Sequence, residues 1–479
     1  MKDFLFEVDK RLGDRIDGLT CSHHKRRLRR IGWENALQPG PGWWVAGEPP
    51  PRKGNSIEVL IDGANAFPRV VEELRAAKSH VHLTGWHLDP DFEIERDSAE
   101  RLTLQELVRE TAARVDVRVL LWAGAPSPIG TTGRRAIRQI AEAFRAAGAQ
   151  VGLDAKERPL HCHHEKIAVI DDRVAFVGGI DATDLKGDRY DSSTHAFRDD
   201  IGWHDATTLM RGPIVADVAD HFAMRWHEVT KERLAQPETP EVHGLVEAQL
   251  VRTVPEHVYN ALPKGDFRIL EAYAGAFAAA QKLIYLENQY LWSPEIVDIL
   301  AEKLRHPPSD DFRVVMILPS RPNTGYDDTA GQLGQLDEAD DAGRLVACTL
   351  YARGPGAPER IYIHAKIGII DDAWLTIGSA NLNEHSLFND SEVNVVTHDP
   401  ELARATRVRL WAEHLESSIE DVNGEPTALI DNVWKPLANE QMERLDADKP
   451  LTHRLVGLPH ISKRTKRLLG PVQALLVDG

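Results

Sequence analysis

Two stretches of this chain are near-copies set 200 positions apart. His164-Glu165-Lys166-Ile167-Ala168-Val169-Ile170-Asp171-Asp172 returns as His364-Ala365-Lys366-Ile367-Gly368-Ile369-Ile370-Asp371-Asp372, without a gap through Gly178-Gly179 and Gly378-Ser379. Upstream, the apolar runs Val81–Leu83 and Val117–Leu121 have counterparts at Leu283–Leu286 and Val314–Leu318. Three correspondences in one order at nearly one spacing indicate an internal duplication, which commits the chain to two units of one design. From Ser56 onward, short apolar runs alternate with helix-like stretches, the pattern of an α/β layer structure. Turn-rich residues 236–241 mark the junction, so we expect an appendage over 1–55, a first half over 56–235, a linker over 236–250, a second half over 251–420 and an extension over 421–479.

On a strand, side chains alternate faces, so His164 and Lys166 point together, as do His364 and Lys366, while Ile167, Val169 and Asp171 face the other way. A fold that brings the two copies together gathers two imidazoles and two ammonium groups around one point. Displacement at a phosphodiester needs a nucleophile, a proton donor for the leaving oxygen and fixed positive charge on the phosphoryl oxygens, and this set supplies all three without a metal. Small residues at Gly178, Gly179, Gly378 and Ser379 let backbone amides and hydroxyls approach phosphate, making them candidate substrate contacts. Asn381 can donate its amide, whereas the equivalent Asp181 cannot, so the halves should play unequal roles. Each histidine needs an orienting partner on its other nitrogen, and Glu392 and Asp205 are the candidates.

These residues resemble the signature of the phospholipase D superfamily, His-x-Lys-x4-Asp twice in one chain. Both copies are intact, as His164/Lys166/Asp171 and His364/Lys366/Asp371, and Ile284–Tyr290, Gly212-Pro213 and Asp390-Ser391-Glu392 resemble the lipid-hydrolysing branch. The resemblance runs from about Ser56 to Glu420. It implies an α/β fold of two similar lobes, each a mixed β-sheet flanked by helices, packed as an intrachain pseudo-dimer with one active site between them. It also implies His164 as the nucleophile forming a phosphohistidine and His364 as the general acid and base. Lys166, Lys366 and Asn381 would hold phosphate oxygens, and Asp171 and Asp371 would be structural.

The expected activity is hydrolysis of glycerophospholipids to phosphatidic acid, with phosphatidyl transfer to alcohols open to the same intermediate. A cardiolipin synthase-like phosphatidyltransferase is the alternative, and a nuclease a more distant one. Lys plus Arg number 57 against 74 Asp plus Glu, a formal charge of −17, which argues against a nucleic-acid partner. The local basic runs Lys25–Arg30 and Lys463–Arg467, near Trp33, Trp43, Trp44 and an apolar tail at Leu468–Val477, point to transient contact with an anionic membrane surface. No apolar run reaches the ~18 residues of a spanning helix. The cysteines, Cys21, Cys162 and Cys348, form no disulfide framework or zinc motif, and the crowded run His161-Cys162-His163-His164 suits chelation poorly. A cytoplasmic, peripheral monomer without metal or cofactor is the expectation, since one chain already carries both half-sites.

Overall fold

The protein is described by a computed structural model over residues 2–96, 101–125, 132–158, 161–198, 200–321, 326–354 and 356–458. Lys463–Arg467 and Leu468–Val477 lie outside the described residues. The first half holds strands β1 (Arg52–Ile61), β2 (His80–Gly85), β3 (Asp116–Trp122), β4 (Gln150–Asp154), β5 (Ile167–Ile170), β6 (Val174–Gly178) and β7 (Ala206–Arg211). The second holds β8 (Val246–Val254), β9 (Leu283–Asn288), β10 (Arg313–Ile317), β11 (Leu345–Ala352), β12 (Lys366–Ile370), β13 (Trp374–Gly378) and β14 (Glu392–His398).

The first sheet runs β1-β7-β6-β5-β2-β3-β4, with β2, β3 and β4 mutually parallel and the other pairs antiparallel. The second runs β8-β14-β13-β12-β9-β10-β11 with the same order and sense. Strand β1 joins them, pairing Ser56–Ile61 with β7 and Arg52 and Asn55 with β8. The duplication read from the sequence is therefore a duplication of topology, strand for strand.

Alternation along the repeated strand explains how the lobes meet. Ala168 and Ile170 pack under the first-half helices, in a core with Phe67, Leu74 and Leu107. Ile167 and Val169 face the other way, into a core shared with Leu250, Val393 and Val395 of the second half. Ile367, Ile369 and Ile377 likewise bury against Val59, Ile61 and Ala206 of the first. Both central sheets are apolar on two faces, one covered by helices and one by the partner lobe. The motif aspartates close the next turn: Asp171 accepts from the backbone amides of Lys78, Ser79 and His80, and Asp371 from those of Gln281, Lys282 and Leu283.

The repeated strand is shorter than the alternation argument has it. Regular pairing starts at Ile167 in one copy and Lys366 in the other, so both histidines precede their strands. The reason is competition: the backbone before each histidine bonds to the opposite lobe instead of to its own sheet.

The two ends pack on the second half. Helix α1 (Lys2–Ile31) buries Leu28 in that half's core, and Trp33 packs edge-on to Phe267 while Trp43 stacks on His398. Within the basic run expected to meet a membrane, Arg27 is turned inward: Nε and Nη2 bond Glu256 at 2.8 and 2.6 Å, and Nη1 bonds Asn389. Beyond residue 420, Ile430, Trp434, Ala438 and Leu455 join the second-half core, and Leu455–Gly457 pairs with β11.

Gly378 sits where β13 and β14 converge, and a Cβ there would lie 2.1 Å from Asn394 Oδ1 and 2.4 Å from the Val393 carbonyl oxygen. Gly378→Ala is therefore expected to cost about 1–3 kcal/mol as overpacking, read as a lower denaturant midpoint. Gly343→Ala, in open space but at positive φ, controls for backbone strain alone.

Candidate active site

The segments that lead into the histidines are exchanged between lobes. His163 bridges Ser391 in parallel, His164 N donates to Ser391 O at 2.9 Å, and Ser391 N donates to Cys162 O at 3.1 Å. In the mirror arrangement Tyr362-Ile363 pairs in parallel with Trp203-His204, and His364 N donates to His204 O at 2.8 Å. Each histidine is thus set next to the carboxylate that follows its partner segment: Glu392 after Ser391, and Asp205 after His204.

His164 Nδ1 lies 3.1 and 3.2 Å from the two oxygens of Glu392 and 3.1 Å from Ser379 O. His364 Nδ1 lies 2.6 Å from Asp205 Oδ2. With each Nδ1–H donated to a carboxylate, each Nε2 is left as the reactive nitrogen. The two rings stand edge-on to one another with centroids 6.5 Å apart. Glu392 is held in turn by the hydroxyls of Ser379 and Ser386, which donate to it.

Lys166 and Lys366 each curl back, donating to the carbonyl of His164 at 2.7 Å and to that of His364. Beyond that the copies differ. Lys166 pairs with Asp181 at 3.0 Å. Lys366 donates to Gln289 Oε1 at 3.1 Å, and Asn381 Nδ2 reaches the same oxygen at 3.3 Å. One lysine is paired directly with a carboxylate, while the other donates to the side-chain amide of Gln289 and acts on Asp205 through its field.

The four small residues expected to touch phosphate are also packed closely within the protein. The amides of Gly179 and Ser379 donate to Ala206 O and Val393 O, and the Ser379 hydroxyl is spent on Glu392. A Cβ on Gly178 would meet Thr207 Cα at 2.4 Å, and one on Gly179 would meet Asp205 Oδ1 at 2.2 Å. Their smallness admits the neighbouring strand and the carboxylate that orients His364. The run His161-Cys162-His163-His164 is likewise divided: His161 lies 3.2 Å from Asp390, His163 3.1 Å from Asp154, and only His164 faces the centre.

Several side chains of the site carried no signal in the motif. Trp86 stands edge-on to His164, Trp203 lies 4.5 Å from the ring centre of His364, and the Arg189 guanidinium sits 3.5 Å above Trp203. Arg189 falls in Asp188-Arg189-Tyr190, a loop with no periodic pattern. Gln289 lies in Ile284–Tyr290, a stretch whose resemblance to the lipid-hydrolysing branch assigns it no role by itself.

Burial governs the electrostatics. It pushes Glu392 well above the ordinary carboxylate range, against the nearby Lys166, and pushes Asp205 up to about 6, against Lys366 and Lys166. His364 is held well below its ordinary 6.5 by burial and then by the field of Lys366, Arg189 and Lys166. The imidazole of the free site is neutral near pH 7. Removing the cation that acts most strongly should release it: by histidine-selective 15N NMR, Lys366→Met is expected to raise the His364 midpoint more than Lys166→Met does.

Residues 273–413, the second half from its first helix onward, match the family model described as cardiolipin synthase, PLD-like domain. Phospholipase D A of Dictyostelium discoideum is 25% identical over 480 residues, covering 80% of this chain and 37% of that protein. The major cardiolipin synthase ClsA of Bacillus subtilis is 24% identical over 365 residues, covering 73% of this chain and 67% of that one. The chain thus spans little more than a third of the length of the first of these relatives. Among solved structures, phosphatidylserine synthase of Haemophilus influenzae superposes with a TM-score of 0.54 at 15% identity, over 88% of this chain and 98% of that one, a likeness of fold.

Proposed function

The chain belongs to the phospholipase D superfamily, and from that premise we propose that it hydrolyses the distal phosphodiester of glycerophospholipids to phosphatidic acid through a covalent phosphohistidine. The observation that carries the reading is the crossed pair of His–carboxylate hydrogen bonds, which aims two Nε2 atoms at one space flanked by Lys166 and Lys366. In the first step His164 Nε2 forms a bond to phosphorus, the bond to the headgroup oxygen breaks, and that oxygen takes a proton from His364 Nε2. In the second, water attacks phosphorus and loses a proton to His364 Nε2 while the phosphorus–nitrogen bond breaks, restoring His164. An alcohol in place of water gives phosphatidyl transfer from the same intermediate.

The low basicity of His364 fits these two duties. The negative diester offsets the field of Lys366, Arg189 and Lys166, so arrival of substrate favours the protonated acid. Once the headgroup has left, the ring is again neutral and serves as base. Lys366 and Asn381 carry the phosphoryl oxygens, because Lys166 is already paired with Asp181.

Transfer to a second phospholipid, as in a cardiolipin synthase, is favoured by one observation: the alignment with such an enzyme spans two thirds of its length. We also read the chain as a cytoplasmic monomer that meets the membrane from one side. One chain supplies both half-sites, and no helix among the described residues is long and apolar enough to cross a bilayer.

Vesicles of mixed phosphatidylcholine, phosphatidylethanolamine and phosphatidylglycerol, incubated with protein, EDTA and ethanol, should yield phosphatidic acid and phosphatidylethanol by mass spectrometry. Cardiolipin from phosphatidylglycerol vesicles would instead mark the transfer reading. Unchanged lipids with bis-p-nitrophenyl phosphate still cleaved would overturn the lipid assignment. His164→Ala and His364→Ala are each expected to lower turnover by about 10⁴–10⁶-fold with the fold intact, as groups that act as a unit do.

The pH dependence follows from Asp205. Because its carboxyl is raised to about 6, it becomes neutral below that pH and no longer stabilises a proton on His364, so turnover should fall as pH drops through about 6. Asp205→Asn should lower turnover about 10²–10⁴-fold and remove that limb of the profile.

A further inference from the structure

Behind the reacting pair, on the far side of Asp205, four side chains from three distant stretches of sequence converge. Asp62 directly follows β1, His195 lies in the loop and His204 in the short Trp203–His204 pairing before β7, and Glu413 projects from the helix Pro400–Leu415 of the other half. One possible ligand atom from each of the four lies within 4.8 Å of all the others. His204 Nδ1 is 3.1 Å from Asp62 Oδ1 and 3.3 Å from Glu413 Oε1, while His195 Nε2 is 3.1 Å from Glu413 Oε1 and 3.6 Å from Asp62 Oδ2. Around a zinc-like ion with ligands at about 2.0–2.1 Å, tetrahedral edges measure about 3.3–3.4 Å, in the middle of that range.

Hydrogen bonding alone leaves this cluster incomplete. Asp62 Oδ2 and His204 Nδ1 are buried and have no hydrogen-bond partner, although His204 Nδ1 has two carboxylates within 3.3 Å. A buried imidazole nitrogen close to two carboxylates but bonded to neither is what an unfilled ligand position would leave. Asp62 also begins α2 (Gly63–Ala76) without its carboxylate capping the helix. The outer nitrogen of each histidine is carboxylate-bound: His195 Nδ1 to Asp191 at 2.8 Å and His204 Nε2 to Glu287 at 2.7 Å. Those carboxylates are anchored in turn, Asp191 by Arg198 and Glu287 by His414 and Tyr285. A carboxylate behind each imidazole is the usual outer layer of a metal site, fixing tautomer and ring orientation.

We propose that Asp62, His195, His204 and Glu413 bind one divalent transition metal of the zinc class, closed to solvent and to substrate, that ties the two halves together and fixes Asp205 under His364. The link to Asp205 is short. Asp62 N donates to Asp205 O at 2.8 Å, Asp205 N donates to Asp62 Oδ1 at 3.1 Å, and His204 O accepts from His364 N. Two imidazoles and two carboxylates match a zinc ion in charge and hardness, and with four protein ligands there is no open position for chemistry. The metal takes no part in the bond exchange, so turnover in EDTA and a tightly held structural ion are compatible.

The test is metal analysis of the full chain purified without a metal-affinity step. We expect about one equivalent of zinc or a related ion per chain, with X-ray absorption showing nitrogen and oxygen ligands at about 2.0–2.1 Å, imidazole outer-shell scattering and no sulfur. Protein stripped with dipicolinate should lose thermal stability and recover it with zinc chloride. Glu413→Gln and His195→Ala should each hold less than about a tenth of an equivalent, whereas Asp205→Asn, inactive in the proposed reaction, should keep its metal. Absence of metal both as purified and after zinc chloride, a sulfur-containing shell, or unchanged metal in Glu413→Gln would each overturn the proposal. Should His195→Ala fail to fold, the conservative Glu413→Gln and the wild-type spectrum still decide.

Discussion

The exchange of backbone between the halves is the constraint on which the rest depends. Each histidine donates its amide to a carbonyl of the opposite lobe, one residue before the carboxylate that its own Nδ1 meets. Position and orientation of the imidazole therefore come from the same short segment. A ring held only by its own strand would be placed by that strand's local geometry, and its partner by a different element. Here Ser391-Glu392 and His204-Asp205 fix both at once, so the centroid separation of 6.5 Å follows from main-chain pairing. It also explains why the repeated strands begin late: the residues before them are used across the interface.

The duplication is symmetric in backbone and asymmetric in charge. Asp181 against Lys166, and Asn381 with Gln289 beside Lys366, occupy corresponding places, so a direct ion pair in one copy is replaced by amide contacts in the other. At short range in a buried setting such a difference is large compared with thermal energy. Two histidines with similar surroundings would titrate as an indistinct pair. Burial and the fields of Lys366, Arg189 and Lys166 hold the His364 ring neutral in the free site.

How far the sequence announced this depends on what kind of signal each residue carries. His164, Lys166 and their copies at 364 and 366 are legible because a nine-residue near-repeat is improbable by chance, and the alternation that turns Ile167 and Val169 inward is a property of any strand. Glu392 and Asp205 could be nominated because a histidine in a site needs a carboxylate behind it. Gly178, Gly179, Gly378 and Ser379 mark a close approach, but sequence does not say what approaches, and the structure places a neighbouring strand and a carboxylate against them. Arg27 shows the same limit for charge, since a basic run reads as solvated until Glu256, 229 residues away, turns one member inward. Asp62, His195, His204 and Glu413 were invisible because no spacing rule connects residues brought together only by tertiary closure.

The apolar cores between the lobes bear on how the site can work. Ile167, Val169 and Val177 lie against Val393 and Val395, and Ile367 and Ile377 against Val59 and Ile61, so separating the halves would expose a strip of aliphatic side chains on both. At about 25 cal/mol for each Å² returned to water, opening the lobes on every turnover would be prohibitive. The work of the cycle then falls on proton position and local field. A buried His–carboxylate layer behind Asp205 suits such a rigid machine. Flexible catalysts can tolerate a loosely held orienting group, but a site that cannot adjust by closing must have its carboxylates placed in advance. The dense second layer of Asp62, His204, Glu287 and Glu413 is the part of the molecule built to do that.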